Sequence, residues 1–275
     1  MSGHFKDRVT FVSGGASGIG RGLCEELGRR GAAVIVADLD HPGAAAVAAG
    51  IEQAGGRAEA IRLDVADQDA LRAALVAVQN RHGRLDFVFN NAGIATFGEA
   101  RDQALPAWRK VLEVDLWAVI TGSLAAYELM REQGHGHIVN TASLAGLGLF
   151  PGGIPYSVAK WGVVSLSLNL RLEARDLGVR VSTICPGFVQ SKIYDNAEAH
   201  GIDHQETLRR LPFPRMPTER AVQIILRGVE KNKALIVFPW YAKLLWWLHR
   251  LSPTLALEIA NLGILRELRK VRDGK

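Results

Sequence analysis

Arg8-Val-Thr-Phe-Val-Ser13, followed by Gly14-Gly-Ala-Ser-Gly18-Ile-Gly20, is the stretch that decides how this chain is read. A short β-rich run enters a turn dense in glycine, and a helical pattern with Leu23 and Leu27 follows from about Ile19 to Arg30. Glycine lets a backbone approach a pyrophosphate closely, and a helix N-terminus offers that group free N–H donors and partial positive charge. The spacing is G-x-x-x-G-x-G rather than the common G-x-G-x-x-G, so on this segment alone an ordinary strand-to-helix turn stays open. The next strand-like run, Ala33-Val-Ile-Val-Ala-Asp38, ends in an acid. A carboxylate there can accept hydrogen bonds from adenosine ribose hydroxyls and would repel a 2′-phosphate. Leu39-Asp40 contains no basic residue, and Ala16 and Ser17 add none to the turn. NAD is therefore favoured over NADP, with a surface aspartate at a strand end as the plain alternative.

Further along the chain stands Tyr156-Ser-Val-Ala-Lys160, with Ser143 upstream. Tyrosine and lysine four apart on a helix share one face. The ammonium charge can stabilise a phenolate that would otherwise form only near pH ~10. Such a phenol can remove or return an alcohol proton, while the Ser143 hydroxyl bonds the same substrate oxygen. Alone, Y-x-x-x-K is a weak signal, and its weight comes from the glycine turn that accompanies it.

Taken together, these motifs resemble the short-chain dehydrogenase/reductase family, in its single-domain branch, from about Lys6 to Phe238. The resemblance includes Asp64-Val65 after the third strand, Asn90-Asn91-Ala92-Gly93 after the fourth and Pro186-Gly187 after the sixth. It implies that Gly14, Ser17, Gly18, Ile19 and Gly20 cradle the coenzyme. Asp64 would bond the adenine amino group with Val65 packed beside it, and Asn91, Ala92 and Gly93 would support the ribose side. Pro186, Gly187 and Val189 would line the nicotinamide pocket, with Ser191 in place of the usual threonine. Ser143, Tyr156 and Lys160 would be catalytic, Tyr156 and Lys160 also touching the coenzyme. The chain departs from the family at Asp115, where an asparagine normally holds a water against the lysine. Aspartate accepts hydrogen bonds when ionised but cannot donate as an amide does. Its charge near Lys160 would partly cancel the field acting on Tyr156, and the three groups would titrate as a coupled set. An alkaline-shifted pH profile is expected.

The chain has 275 residues, 48% of them hydrophobic, enough for one large core. Strand-like runs near 8–13, 33–38, 60–64, 85–90, 137–141, 179–185 and 234–238 alternate with helical patterns. Several are continuously apolar, as in parallel strands covered on both faces. The expected fold is α/β: a doubly wound, Rossmann-type parallel sheet of about seven strands with helices on both faces. Residues 1–239 would form the dinucleotide-binding and catalytic domain, and 240–275 a C-terminal helical extension. Two cysteines, Cys24 and Cys185, and the N-terminus Met1-Ser-Gly-His-Phe-Lys suggest reduced thiols in a cytoplasmic protein. No zinc spacing appears, no metal is expected, and His135 and His137 read as a solvated loop.

No nucleic-acid partner is expected; net charge is +5 and its distribution is uneven. It concentrates in the tail, where seven Lys/Arg face three Asp/Glu from Trp240 to Lys275. The same tail carries Trp240, Trp246 and Trp247. Ser252-Pro253 reads as an N-cap and first helical residue, and Leu255, Ile259, Leu262, Leu265 and Leu268 recur at helical spacing. This amphipathic segment suits a membrane surface, a cover over the substrate pocket or an oligomer interface, and its apolar runs are too short to span a bilayer. Leu144, Leu147, Leu149, Phe150, Ile154, Phe188, Ile193, Tyr194, Ile94 and Phe97 suggest a pocket for a lipophilic secondary alcohol or ketone. Ser191–Thr218, with Pro212, Pro214 and Pro217, lacks periodicity and reads as a mobile lid. The resemblance implies a homodimer or homotetramer paired through helices near 105–132 and 155–176. A non-catalytic NAD sensor or scaffold and, less fittingly, a nucleotide-sugar epimerase are the alternatives.

Overall fold

The computed structural model describes residues 3–210 and 213–272. Met1, Ser2 and Pro212 lie outside the described residues. The strands are Val9–Ser13 (β1), Ala33–Asp38 (β2), Arg57–Arg62 (β3), Phe87–Asn90 (β4), Thr96–Phe97 (β5), Gly136–Thr141 (β6), Val179–Pro186 (β7), Glu198–Ala199 (β8) and Leu235–Phe238 (β9). Seven form one sheet in the order β3-β2-β1-β4-β6-β7-β9, and β5 pairs with β8 alone. Every pairing in the sheet is parallel. Winding reverses between β1 and β4, which opens a crevice at the carboxyl ends of those strands.

Alternation along the strands explains why both faces are covered. Val12, Val34, Val36 and Phe89 join one core with Leu23, Leu27, Ile51, Val222 and Ile225. Phe11, Ile35, Val88 and Ile138 join another on the opposite face with Leu71, Leu75, Ala125 and Met130. Successive strand residues point to opposite faces, so a sheet sandwiched between helices needs apolar residues at both. Each fully buried large side chain contributes roughly 1.5–3 kcal/mol relative to exposure.

Helix Gly18–Arg29 follows β1 directly. Gly14 turns the chain with φ +68°, and a Cβ there would lie 2.8 Å from Ala92 Cα. A Cβ on Gly20 would overlap the Gly14 carbonyl. Glycine is thus required at Gly14 by space and conformation, and at Gly20 by space.

Several expectations shift. β3 spans Arg57–Arg62 rather than 60–64, and Asp64-Val65 follow the strand as expected. His137 is not in a solvated loop: it lies buried in β6 with Nε2 2.9 Å from Ser182 Oγ, and desolvation lowers its pKa to about 3. His135 does remain exposed. The Ser191–Thr218 stretch contains helices Lys192–Asp195 and His204–Arg209 as well as β8. Cys24 and Cys185 are buried free thiols.

The C-terminal extension forms helices Trp240–Leu251, Pro253–Ala260 and Arg266–Lys270. Ser252 caps the second, its hydroxyl accepting from Leu255 N–H at 3.4 Å. Tyr241 anchors the first, its hydroxyl accepting from Phe188 N–H at 2.8 Å and its ring stacking 4.1 Å from Phe213. At the far end Val271 O accepts from Asp203 N–H at 2.9 Å, and Arg272 pairs with Asp102 at 2.9 Å. Among the described residues no helix is long and apolar enough to cross a membrane.

Candidate active site

The crevice between β1 and β4 is lined by Gly14, Ser17, Ile19, Asp38, Asp64, Val65, Asn91, Ala92, Gly93, Pro186, Gly187, Val189 and Ser191. These are the positions expected to touch a coenzyme, save Gly18 and Gly20. Gly18 turns away toward a neighbouring groove, and Gly20 packs on Gly14. Asp38 is held rigidly: Oδ2 accepts from Ala16 N–H and Oδ1 from Asp40 N–H, both at 2.9 Å. Asn91 clasps β1, its amide donating to Ser13 O at 3.1 Å, while Ser13 Oγ accepts from Asn91 and Ala92 N–H. Ser17 makes no side-chain cap bond, so the first-turn N–H groups of helix Gly18–Arg29 lack a side-chain acceptor.

Ser143, Tyr156 and Lys160 also line this crevice. Helix Ile154–Glu173 carries Tyr156 and Lys160 one turn apart, and Ser143 lies just past β6. Lys160 is fully buried, with Nζ 5.3 Å from the centre of the Tyr156 ring and donating to Thr141 O at 3.1 Å. Asp115 sits behind it. The helix Leu105–Leu112 widens into a π-type turn over Glu113–Trp117 before continuing as Ala118–Gln133, and Asp115 lies in that turn. Its Oδ1 accepts from Ile94 N–H at 2.8 Å, and its Oδ2 lies 2.8 Å from Lys160 Nζ with both side chains excluded from solvent. Asp115 does not itself reach the crevice wall.

Burial pushes the Asp115 carboxyl upward, against the pull of the Lys160 ammonium and the Ile94 N–H. Burial likewise raises the Tyr156 phenol, and the Asp115 charge raises it further; hydrogen bonding with Ser143 acts the other way. Burial and the Asp115 charge thus both act against the phenolate.

A second, apolar chamber adjoins the crevice, and the two share Ala95, Ser143, Tyr156, Pro186, Gly187, Ile193 and Tyr194. Leu144, Leu149, Phe150, Phe188 and Phe97 face this chamber, as the sequence suggested. Leu147 instead belongs to the core, Ile154 is exposed on its helix, and Ile94 lines the coenzyme-sized crevice. The remaining wall was not foreseen residue by residue: Leu245, Ile264, Leu268 and Val271 come from the extension, and Arg210 pairs with Glu267 at 3.0 Å across the rim. The repeat spacing around Leu268 was the available signal, but nothing in it named the partner surface.

A doubly wound parallel sheet with a glycine-turn crevice at its switch point defines a Rossmann-type α/β protein. The family profile described as short chain dehydrogenase matches residues 8–201. The chain belongs to the short-chain dehydrogenase/reductase family of oxidoreductases. Levodione reductase of Leifsonia aquatica is 34% identical over 196 residues, covering 70% of this chain and 73% of the reductase. 3beta-hydroxysteroid dehydrogenase 2 of Eggerthella lenta is 33% identical over 194 residues, covering 68% and 72% respectively. A crystal structure of a short-chain dehydrogenase/reductase from Burkholderia phymatum in complex with NAD superposes with a TM-score of 0.84 at 25% identity, covering 92% of this chain and 96% of the other.

Proposed function

We propose that the protein interconverts a lipophilic secondary alcohol and its ketone, with NAD as coenzyme. One observation carries the reading: Ser143 and Tyr156 stand where the polar crevice and the apolar chamber share a wall. The crevice suits a dinucleotide, since uncapped N–H groups at the start of helix Gly18–Arg29 offer donors to a pyrophosphate. The fixed Asp38 carboxylate, with both oxygens already oriented by backbone N–H groups, suits ribose hydroxyls and opposes a 2′-phosphate. Asp64, Val65, Asn91–Gly93, Pro186, Gly187, Val189 and Ser191 complete the holding set. When bound, the nicotinamide coenzyme supplies the hydride acceptor or donor.

Around it the chain's own residues orient the alcohol and move its proton. Ser143 Oγ and the Tyr156 hydroxyl bind the substrate oxygen, and Tyr156 takes the proton on oxidation or returns it on reduction. Lys160 tunes the phenol, and Asp115 positions and partly neutralises Lys160 from behind. The apolar wall of Leu149, Phe150, Phe188 and Leu268 excludes water and favours a hydrophobic ring or chain. A relative named for a hydroxysteroid supports that class. Exposed Trp117, Leu124, Val158 and Trp161 on the two long helices support a homo-oligomer assembled through them.

Steady-state assays across lipophilic cyclic and open-chain secondary alcohols, with NAD and with NADP, test the reading. Turnover of at least one alcohol is expected, with NAD preferred by about tenfold or more, equivalent to about 1.4 kcal/mol. Asp38→Ser should narrow that preference. Coenzyme binding without turnover across the panel would instead favour a coenzyme-sensing role.

A further inference from the structure

The apolar stripes of the C-terminal extension point away from the protein. On helix Trp240–Leu251 the outward residues are Trp240, Leu244, Trp247 and Leu251, spaced four, three and four apart. On the following helix and turn they are Leu255, Ile259 and Leu262. All seven are between 44% and 78% exposed. The buried positions of these two helices are Tyr241, Ala242, Ala256 and Ala260, and Leu245 faces the chamber. Large apolar side chains thus stand on the outside as well as the inside, so packing against the body leaves a second apolar stripe uncovered.

Charge decides which partner this face fits. Lys243, Arg250 and Arg266 are exposed and form no ion pair among the described residues. Arg250 lies over the Trp246 ring at 5.9 Å. Farther along, Arg269 and Arg272 are tied to Glu99 and Asp102, and Lys270 to Glu267, so these cations are already engaged. Glu258 is the one acid in the helices Trp240–Leu251 and Pro253–Ala260. Two apolar stripes with tryptophan among them and free cations alongside match the boundary between acyl chains and anionic headgroups. A second copy of the same face would instead oppose its unpaired cations to one another.

We propose that this outward face docks on an anionic lipid bilayer, the extension lying in the interface while the rest of the protein stays in water. The inner faces of the same segment wall the chamber through Leu245, Ile264 and Leu268. If the function proposed above holds, a lipophilic alcohol would reach Tyr156 from the lipid side. Docking itself requires no turnover, so the two proposals succeed or fail separately.

Flotation of the full chain with vesicles of phosphatidylcholine containing phosphatidylglycerol tests this. The protein should co-float with these vesicles, and at least about fivefold less should float with pure phosphatidylcholine or at ~1 M salt, where charge is screened within about 3 Å. The triple variant Leu244→Glu, Trp247→Glu, Leu251→Glu should remain with the soluble fraction while keeping the wild-type circular-dichroism melt, since all three sites are exposed. The lipid and salt arms use the wild-type chain, so they decide the matter even if that variant misfolds. Absence of flotation with phosphatidylglycerol vesicles would overturn the proposal, as would triple-variant flotation equal to wild type. A wild-type oligomer that the triple variant dissolves, with no vesicle binding by either, would assign the face to a second copy.

Discussion

The polar crevice and the apolar chamber meet at Tyr156 but are built by opposite means. The crevice is made of backbone and polar side chains held by specific bonds: Asp38 by two N–H groups, Asn91 by β1, and Lys160 by Asp115 and Thr141. The chamber is made of side-chain volume from segments far apart in sequence, including Phe97, Phe150, Phe188 and Leu268. Sheet register leaves the first little room to vary without loss of geometry. The second can change size by substitution while Ser143, Tyr156 and Lys160 stay in place, as expected where specificity resides in grafted elements.

If the two regions are separable, damage to one should leave the other's constants intact. Of the two substitutions that test this separation, the larger effect is expected from Leu268→Ala, which removes part of the chamber wall contributed by the extension. KM for a lipophilic alcohol should rise by about 10–100-fold, in keeping with roughly 1–3 kcal/mol for a lost apolar contact, with the coenzyme KM nearly unchanged. An equal rise in both constants would break the separation.

A smaller change should follow from Asp115→Asn. The Asp115 charge holds the Tyr156 phenol up, so its removal leaves Lys160 free to stabilise the phenolate and lowers the phenol pKa. Alcohol oxidation needs the deprotonated phenol and therefore rises with pH. The rise in kcat/KM should move by about one pH unit toward acid, the equivalent of about 1.4 kcal/mol. A rise that stays put or moves toward alkali would remove Asp115 from the tuning of Tyr156, leaving it a packing role beside Gly93.

Legibility in the sequence divides along the same line. The sheet, the glycine turn, Asp38 and the Tyr156/Lys160 pair were readable because each depends on local spacing or on a continuous apolar run. The edge strand β3 was read three residues late because Arg57 and Glu59 interrupt its pattern, while Ile61, Leu63 and Val65 extend an apolar alternation past its end. His137 is hard to place from sequence because Gly134-His-Gly136 just before it resembles a turn, and only the neighbouring β7 supplies the Ser182 hydroxyl beside it. The short helices at Lys192–Asp195 and His204–Arg209 are too brief to establish a period. In the extension, periodicity revealed a stripe but not its direction: Leu255, Ile259 and Leu262 face out, whereas Leu268 faces the chamber. Which side of an amphipathic helix is covered depends on a partner surface that local sequence does not encode.

The most direct test of the account is single-turnover and steady-state kinetics of Tyr156→Phe alongside coenzyme titration. The ring is retained and only the hydroxyl between crevice and chamber is lost. The account predicts that kcat falls by about 10²–10⁴-fold, as for loss of a positioned proton-transfer group, while the NAD Kd stays within about twofold. A variant that turns over within about twofold of wild type, well inside that range, would contradict it and move the proton transfer to another group.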